Sequence, residues 1–148
     1  MKNIVLGVTG GIAAYKAAEI ASLLVKKNYR VQVIMTAAAA EFITPLTMQT
    51  VSQQPVHMEM LKTTEKWSVE HISLAQGADL VLVAPATANT IGSVASGTAG
   101  NLLTATIMAT RAPVIFAPAM NTMMYENPIC QHWISFLKSM GYIFIEPE

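Results

Sequence analysis

Residues 3–16, NIVLGVTGGIAAYK, decide the fold that the sequence predicts. The first six residues form a short, branched and nearly all-apolar run, which is typical of a strand buried on both faces of a parallel sheet. Gly10 and Gly11 end this run. From Ile12 onwards the apolar residues recur at helical spacing as far as Leu24. The stretch therefore predicts a strand, a tight turn and a helix.

The alternation of strand and helix continues along the chain. Further apolar runs predict strands at four places, residues 31–35, 78–84, 113–117 and 142–145. Helical periodicity predicts two more helices, residues 101–110 and 128–140. The sequence therefore predicts one α/β domain over residues 1–148, with a three-layer Rossmann-like (flavodoxin-like) fold and a mostly parallel sheet of five or six strands.

Three segments need a separate interpretation. In the last predicted helix one apolar stripe is assigned to the core, formed by Ile129, Trp133, Phe136 and Met140. The alanine-rich segment after Thr36 predicts a helical turn that Thr44 and Pro45 stop. Residues 55–70 are the most polar and least periodic part of the chain and predict a surface loop.

Composition limits the classes of function. Only 12% of the 148 residues are charged and 53% are hydrophobic, whereas globular domains carry about 25% charged residues, so we expect a subunit interface. Nine basic and nine acidic residues balance, which argues against nucleic-acid binding. Cys130 is the only cysteine, so we expect no disulfide, no metal site and a cytoplasmic location. No apolar run is long enough to predict a membrane helix.

Ligands of open α/β sheets bind beyond the carboxyl ends of the strands, so the segments that follow the strands are the candidate sites. Gly10, Gly11 and Ile12 open a helix and can bring backbone N–H groups close to an anion, although an ordinary strand-to-helix turn explains them equally well. The spacing is not that of a dinucleotide fingerprint, and Thr36 stands where an acidic residue would bind a ribose. Nicotinamide dinucleotides are therefore disfavoured.

Two other strand ends carry polar groups. Residues 85–90, PATANT, predict a phosphate cradle made of hydroxyl, amide and backbone donors, with capping of the next helix by Thr87 or Asn89 as the alternative. Residues 118–125, PAMNTMMY, place the Asn121 amide among methionines, which suits either core packing or a dry carboxylate site. His71 follows the polar segment, and on its own it is more typical of a surface residue.

Taken together, residues 10–16, 85–90 and 118–125 resemble the homo-oligomeric flavin-containing cysteine decarboxylases, over practically the whole chain. The second segment matches the flavin-binding Pro-Ala-Ser-Ala-Asn-Thr motif of that family with Thr87 in place of serine. The third matches its Pro-x-Met-Asn-x-x-Met-Trp motif with Tyr125 in place of tryptophan. Within the family the resemblance is strongest to the decarboxylases of coenzyme A synthesis, which act on 4'-phosphopantothenoylcysteine.

The resemblance implies FMN at a subunit interface of a trimer or a dodecamer built from trimers, with each site completed by a neighbouring copy. It implies that His71 is the catalytic histidine and that Asn121 binds the substrate carboxylate. The cofactor-binding residues that we expect are Gly10, Gly11, Ile12, Thr36, Thr87, Ala88, Asn89, Thr90 and Ala119.

The chain departs from the family pattern at one place. The reductive cysteine of the family lies on a flap after the last strand, and this sequence ends at Glu148 without it; Cys130 is not that cysteine. We therefore expect a flavin-binding decarboxylase domain that lacks the flap and forms the fully reduced product poorly. Two alternatives stay open, a peptidyl-cysteine decarboxylase of the lantibiotic type and a non-catalytic flavin-fold regulatory module. A flavin prenyltransferase is disfavoured because no basic cluster accompanies the cradle.

Overall fold

The computed structural model of the chain describes residues 1–58 and 64–147. Its strands are β1 (Asn3–Val8), β2 (Arg30–Met35), β3 (Leu80–Ala86), β4 (Val114–Pro118) and β5 (Ile143–Phe144). Its α-helices are α1 (Lys16–Lys26), α2 (Pro45–Ser52), α3 (Thr64–Gly77), α4 (Ala88–Ala95), α5 (Leu102–Ala109), α6 (Thr122–Glu126) and α7 (Pro128–Ser139). Short 3-10 helices cover Ile12–Tyr15 and Ala39–Glu41.

The five strands pair in parallel in the order β2-β1-β3-β4-β5, which confirms the predicted α/β class and mostly parallel sheet. Each predicted strand lies within two residues of an observed one. An isolated parallel bridge between Ile34 and His57 extends the β2 edge by one short segment. The strand order reverses between β1 and β3, and in doubly wound sheets the crevice at such a reversal binds the ligand.

The core lies on both faces of the sheet. Alternate residues of a strand point to opposite faces, so Val5 joins the cluster under α4, α5 and α7, while Leu6 and Val8 join the cluster under α1 and α2. Leu6 and Phe116 are fully buried. The result is a three-layer arrangement of helices, sheet and helices, with the carboxyl ends of the strands left free along one edge.

Pro45 begins a helix, whereas the sequence predicted that it would stop one. The Thr44 side chain caps α2 by accepting a hydrogen bond from the backbone N–H of Thr47 at 3.1 Å. Proline fits the first turn of a helix because its missing N–H has no intrahelical partner there. The predicted alanine-rich turn is present before it, as the 3-10 helix Ala39–Glu41.

The predicted surface loop over residues 55–70 is wrong in its last seven residues. Helix α3 starts at Thr64 and runs to Gly77, while residues 59–63 lie outside the described residues. A polar segment without apolar periodicity is compatible with an exposed helix as well as with a loop. Low periodicity therefore did not distinguish the two.

The apolar stripe that the sequence assigned to the core of α7 is on the wrong face. Its members Ile129, Phe136 and Met140 are 61%, 42% and 61% exposed. The buried side chains of the helix are Cys130, Ile134 and Leu137. Only Trp133 of the stripe is partly buried; it packs against α4, where a Cβ added to Gly92 would lie 2.7 Å from the indole ring. Both sets repeat at three- or four-residue spacing, so periodicity alone did not choose between them.

Across residues 1–58 and 64–147, no helix combines the length and the apolar character that crossing a membrane requires.

Candidate functional site

An open cleft of about 1180 Å³ lies where the carboxyl ends of β1 to β4 meet. Its walls come from four segments that follow these strands, together with the first turns of α1, α4 and α6. All nine predicted cofactor residues line it: Gly10, Gly11, Ile12, Thr36, Thr87, Ala88, Asn89, Thr90 and Ala119. Asn121 also lines the cleft. The fold therefore brings together segments that are more than 100 residues apart in the sequence.

Thr9 joins the segment after β1 to the end of β3, although the sequence analysis did not select it as a site residue. Its hydroxyl donates to the Pro85 carbonyl at 2.6 Å and accepts from the backbone N–H of Thr87 at 3.1 Å. The residue is only 1% exposed. A threonine directly before a glycine turn is the one sequence signal of this role. The backbone N–H of Ala119 donates to the Ala86 carbonyl at 3.1 Å and attaches the β4 segment in the same way.

Gly10 sits against the turn that follows β2. A Cβ added to Gly10 would contact the Cβ of Ala38 and lie 2.9 Å from the backbone carbon of Ala38. Thr36 holds that turn, because its hydroxyl accepts from the backbone N–H of Ala39 at 3.1 Å while its own N–H donates to the Val8 carbonyl. Glycine is required at position 10 because the two turns are in backbone contact.

The segment from Thr87 to Thr90 uses one hydroxyl to cap α4. The Thr87 hydroxyl accepts from the backbone N–H of Thr90 at 3.3 Å, so the capping role weighed in the sequence analysis is present. Asn89 is exposed and makes no cap. The N–H groups of Ala88 and Asn89 point out of the first turn, where an α-helix provides no acceptor. Capping and anion binding are therefore compatible, since they use different groups.

The cleft suits a phosphorylated flat ring. Lys16 is the only charged side chain among its described lining residues, and its ammonium group lies 6.0 Å from the Tyr15 ring centre. Free backbone N–H groups at a helix start beside one cation favour a phosphate. The lining also includes the apolar residues Pro118, Met120 and Met124, which suit an isoalloxazine ring. The residues present thus fit FMN.

Asn121 lies at the N-terminal end of α6, and the oxygen of its side-chain amide already accepts a hydrogen bond. Its Oδ1 accepts from the backbone N–H of Met124 at 2.9 Å and caps the helix. The NH2 half of the amide remains as a donor beside the cleft. That orientation suits a carboxylate acceptor, because only the donor half of the amide is available.

His71 is not brought to the cleft of its own chain. It is half-buried on α3, and neither His71 nor any other residue of that helix is among the described residues that line the cleft. Its neighbour Glu70 is anchored instead: one carboxylate oxygen lies 3.0 Å from Nδ1 of His57, and Nε2 of His57 lies 3.0 Å from Oε1 of Gln32. The sequence analysis left His57 unassigned, and the structure makes it the link between α3 and the edge of the sheet.

Cys130 lies behind the cleft wall and not in it. Its thiol is 4% exposed and contacts the Met120 sulfur at 3.7 Å. Burial raises the pKa of the Cys130 thiol above its usual value, because the charged thiolate is poorly solvated there. The sequence suggests packing or modest surface exposure for Cys130, and its burial agrees with packing.

We therefore expect Cys130 to resist alkylation. Iodoacetamide reacts with the thiolate, which is scarce at neutral pH when the pKa is raised, so the folded protein should react at least about 10-fold more slowly than the protein in urea. Mass spectrometry of the alkylated cysteine measures both rates. Equal rates in the two states would contradict a buried thiol.

Three comparisons with known proteins show what the whole chain is similar to. The family model described as Flavoprotein matches residues 1–148. The probable phosphopantothenoylcysteine decarboxylase of Streptococcus mutans is 49% identical over 149 residues, which cover 99% of this chain and 83% of that protein. The coenzyme A biosynthesis bifunctional protein CoaBC of Vibrio cholerae is 53% identical over 142 residues, covering 96% of this chain and 36% of that protein.

Among solved structures, the FMN-dependent cysteine decarboxylase SpaF superimposes with a TM-score of 0.90 at 27% identity, covering 100% of this chain and 85% of that chain. The chain thus spans most of one curated relative and about a third of the bifunctional one, at 36% of its length. Because the family model matches every residue and the relatives are similar from end to end of this chain, the chain belongs to the Flavoprotein family.

Proposed function

We propose that this chain binds FMN in the cleft and decarboxylates 4'-phosphopantothenoylcysteine, towards 4'-phosphopantetheine in coenzyme A synthesis. The observation that carries the proposal is the meeting of all nine predicted cofactor residues and Asn121 in one cleft at the sheet's switch point. The 49% identity to a relative named for this reaction supports the substrate.

FMN, when bound, supplies the two-electron oxidation of the substrate thiol that prepares the adjacent carboxylate for loss of carbon dioxide. The chain's own residues bind and orient. The start of α4 and the Gly10–Gly11 turn would hold the FMN phosphate through backbone N–H groups. The apolar wall around Met120 and Met124 would face the ring. None of these groups needs to move protons.

Asn121 is the residue that we assign to the substrate carboxylate. Its free NH2 donates a hydrogen bond without adding charge, so it holds the carboxylate and does not stabilise it as a cation would. Met120 and Met124 also line the cleft and would lower the polarity around the bound carboxylate. A poorly solvated carboxylate loses carbon dioxide more readily, because its charge is dispersed in the transition state.

Self-association is part of the proposal, as a trimer or as a dodecamer built from trimers. Large apolar side chains remain exposed beside the cleft, with Ile12 at 80% and Met123 at 79%. Monomers rarely expose such clusters. His71, which does not line its own cleft, would then act in the cleft of a neighbouring copy. The expected location is the cytoplasm, where a lone buried thiol stays reduced.

The purified protein provides the first test. We expect it to be yellow, with flavin absorption, and to release carbon dioxide from phosphopantothenoylcysteine. Mass spectrometry of the product separates 4'-phosphopantetheine from the enethiol, which is two hydrogens lighter. A colourless protein that does not take up added FMN would overturn the cofactor assignment. Bound FMN without turnover of any cysteine substrate would favour the regulatory module.

A peptidyl-cysteine decarboxylase is the second candidate, and the TM-score of 0.90 with SpaF, a solved FMN-dependent cysteine decarboxylase, supports the cysteine chemistry that both candidates share. The two candidates differ in their substrates, since only the first needs a phosphate at the far end. Competition between phosphopantothenoylcysteine and a peptide with a carboxyl-terminal cysteine separates them. We expect the phosphorylated compound to be consumed first.

A further inference from the structure

The hydroxyl of Thr9 lies at the point where the strand order reverses, and it is buried. It makes two hydrogen bonds, one to the end of β3 and one to the residue that follows β3: it donates to the Pro85 carbonyl at 2.6 Å and accepts from the Thr87 N–H at 3.1 Å. A hydroxyl that donates and accepts at once has its orientation determined from two directions. Thr9 therefore holds one defined position relative to Thr87.

This contact joins the two halves of the expected phosphate site. Gly10 and Gly11 follow Thr9 directly, and Ala88 and Asn89 follow Thr87 directly. Among the described residues, the two bonds of Thr9 are the side-chain hydrogen bonds that join these turns. A Cβ added to Gly11 would meet the Thr87 methyl group only at 3.7 Å, an ordinary approach. The Thr9 hydroxyl is therefore the polar side-chain link between the two turns.

We propose that Thr9 is a positioning residue for the phosphate of the cofactor: it fixes the distance between the Gly10–Gly11 turn and the start of α4, so that backbone N–H groups from both can reach one phosphate. The inference rests on the proposed FMN function and assigns Thr9 no contact with the ring. Removing the hydroxyl would leave the Pro85 carbonyl and the Thr87 N–H without partners in a buried place, which favours separation of the turns to admit water.

The proposal separates two ligands that differ only in the phosphate. Riboflavin has the same ring as FMN but no phosphate, so a change in spacing at the phosphate site should affect FMN alone. A general loss of structure would weaken both. The ratio of the two dissociation constants is therefore the quantity that reports on Thr9.

The experiment compares the full chain with Thr9→Val, which removes the hydroxyl at nearly constant volume, and with Thr9→Ser, which keeps it. Flavin-free protein is titrated with FMN and with riboflavin by fluorescence quenching. We expect Thr9→Val to weaken FMN binding about 10- to 100-fold, as for a lost pair of buried hydrogen bonds, and riboflavin binding less than about 3-fold. Thr9→Ser should restore FMN binding to within about 3-fold of the original protein.

Thr106→Val is the matched control. Thr106 is fully buried on α5, and its hydroxyl donates to the Leu102 carbonyl of its own helix, away from the cleft wall. The same chemical change there should leave the FMN-to-riboflavin ratio unaltered. If Thr9→Val does not fold, Thr9→Ala and Thr9→Ser are compared instead, with circular dichroism as the check on folding.

Equal weakening of both flavins by Thr9→Val, or a Thr9→Ser variant as weak as Thr9→Val, would overturn the positioning role. So would a rise in the FMN-to-riboflavin ratio of dissociation constants in Thr106→Val as large as in Thr9→Val. If the original chain binds neither flavin, the first titration shows this. That result overturns both the proposed function and this inference. The two failures are therefore distinguishable.

Discussion

Activity should return when two inactive variants are expressed together. His71→Asn and Asn121→Asp are each expected to lower decarboxylation at least about 100-fold, because one loses the proposed acid–base group and the other sets a carboxylate against the substrate carboxylate. If every cleft takes Asn121 from one copy and His71 from its neighbour, random assembly leaves about one-quarter of the clefts with both intact. The measurement is carbon dioxide release by the co-purified mixture.

The choice of Asn121→Asp keeps the helix start intact. Aspartate retains the oxygen that accepts from the Met124 N–H, so only the donor half of the side chain is lost. His132→Asn is the matched histidine change: His132 is exposed on α7 and outside the cleft wall, and this variant should keep full activity. A mixture as inactive as its parts would show that His71 does not act across a subunit boundary.

The largest loss of stability is expected from Gly10→Ala. The added methyl group would contact Ala38 and lie 2.9 Å from its backbone carbon, and neither partner is the flexible end of a side chain. We expect the free energy of unfolding of the flavin-free protein to fall by about 2–3 kcal/mol, the cost of overpacking a close contact. FMN binding should weaken as well, because the turn after β1 has to shift away from the turn after β2.

Gly11→Ala is the control for that change. Its added methyl group would meet only the Thr87 methyl group at 3.7 Å, and the backbone φ of −174° at Gly11 is an extended conformation open to any residue. We expect its free energy of unfolding to stay within about 0.5 kcal/mol of the original, measured by urea denaturation. Similar losses for both glycines would mean that contact with Ala38 is not the cause.

The strands and helices differ in how much of their arrangement the sequence predicted. The runs at residues 3–8 and 31–35 are almost uniformly apolar, and such runs have few alternatives to a buried strand. Helix α7 was also predicted, but its stripe of Ile129, Phe136 and Met140 faces outward, while Cys130 and Leu137 face the core. Apolar residues on two faces of α7 have the same spacing. Which of the two faces is buried depends on the side chains of α4 and the sheet that pack against the helix.

The candidate site also has one part that the sequence predicted and one part that only the structure shows. Residues 10–12, 87–90 and 119–121 were selected because each follows a strand, and parallel strands end along one edge. The paired hydrogen bonds of Thr9 join residues 76 and 78 positions apart. A threonine before the glycine turn is their only local sign, and it does not identify the partners. The link from His57 to Glu70 and Gln32 was also absent from the sequence analysis, because it joins three separate elements.

The sequence by itself determined the alternation of strand and helix, the parallel sheet and the motifs at the strand ends, because these follow from the local period of apolar residues and from turn chemistry. Only the tertiary structure decided which face of α7 is buried, how the glycine turn is attached to the start of α4, and that His71 lies away from the cleft of its own chain. Those features arise from contacts between distant residues, where volume, hydrogen-bond partners and burial depend on the whole arrangement.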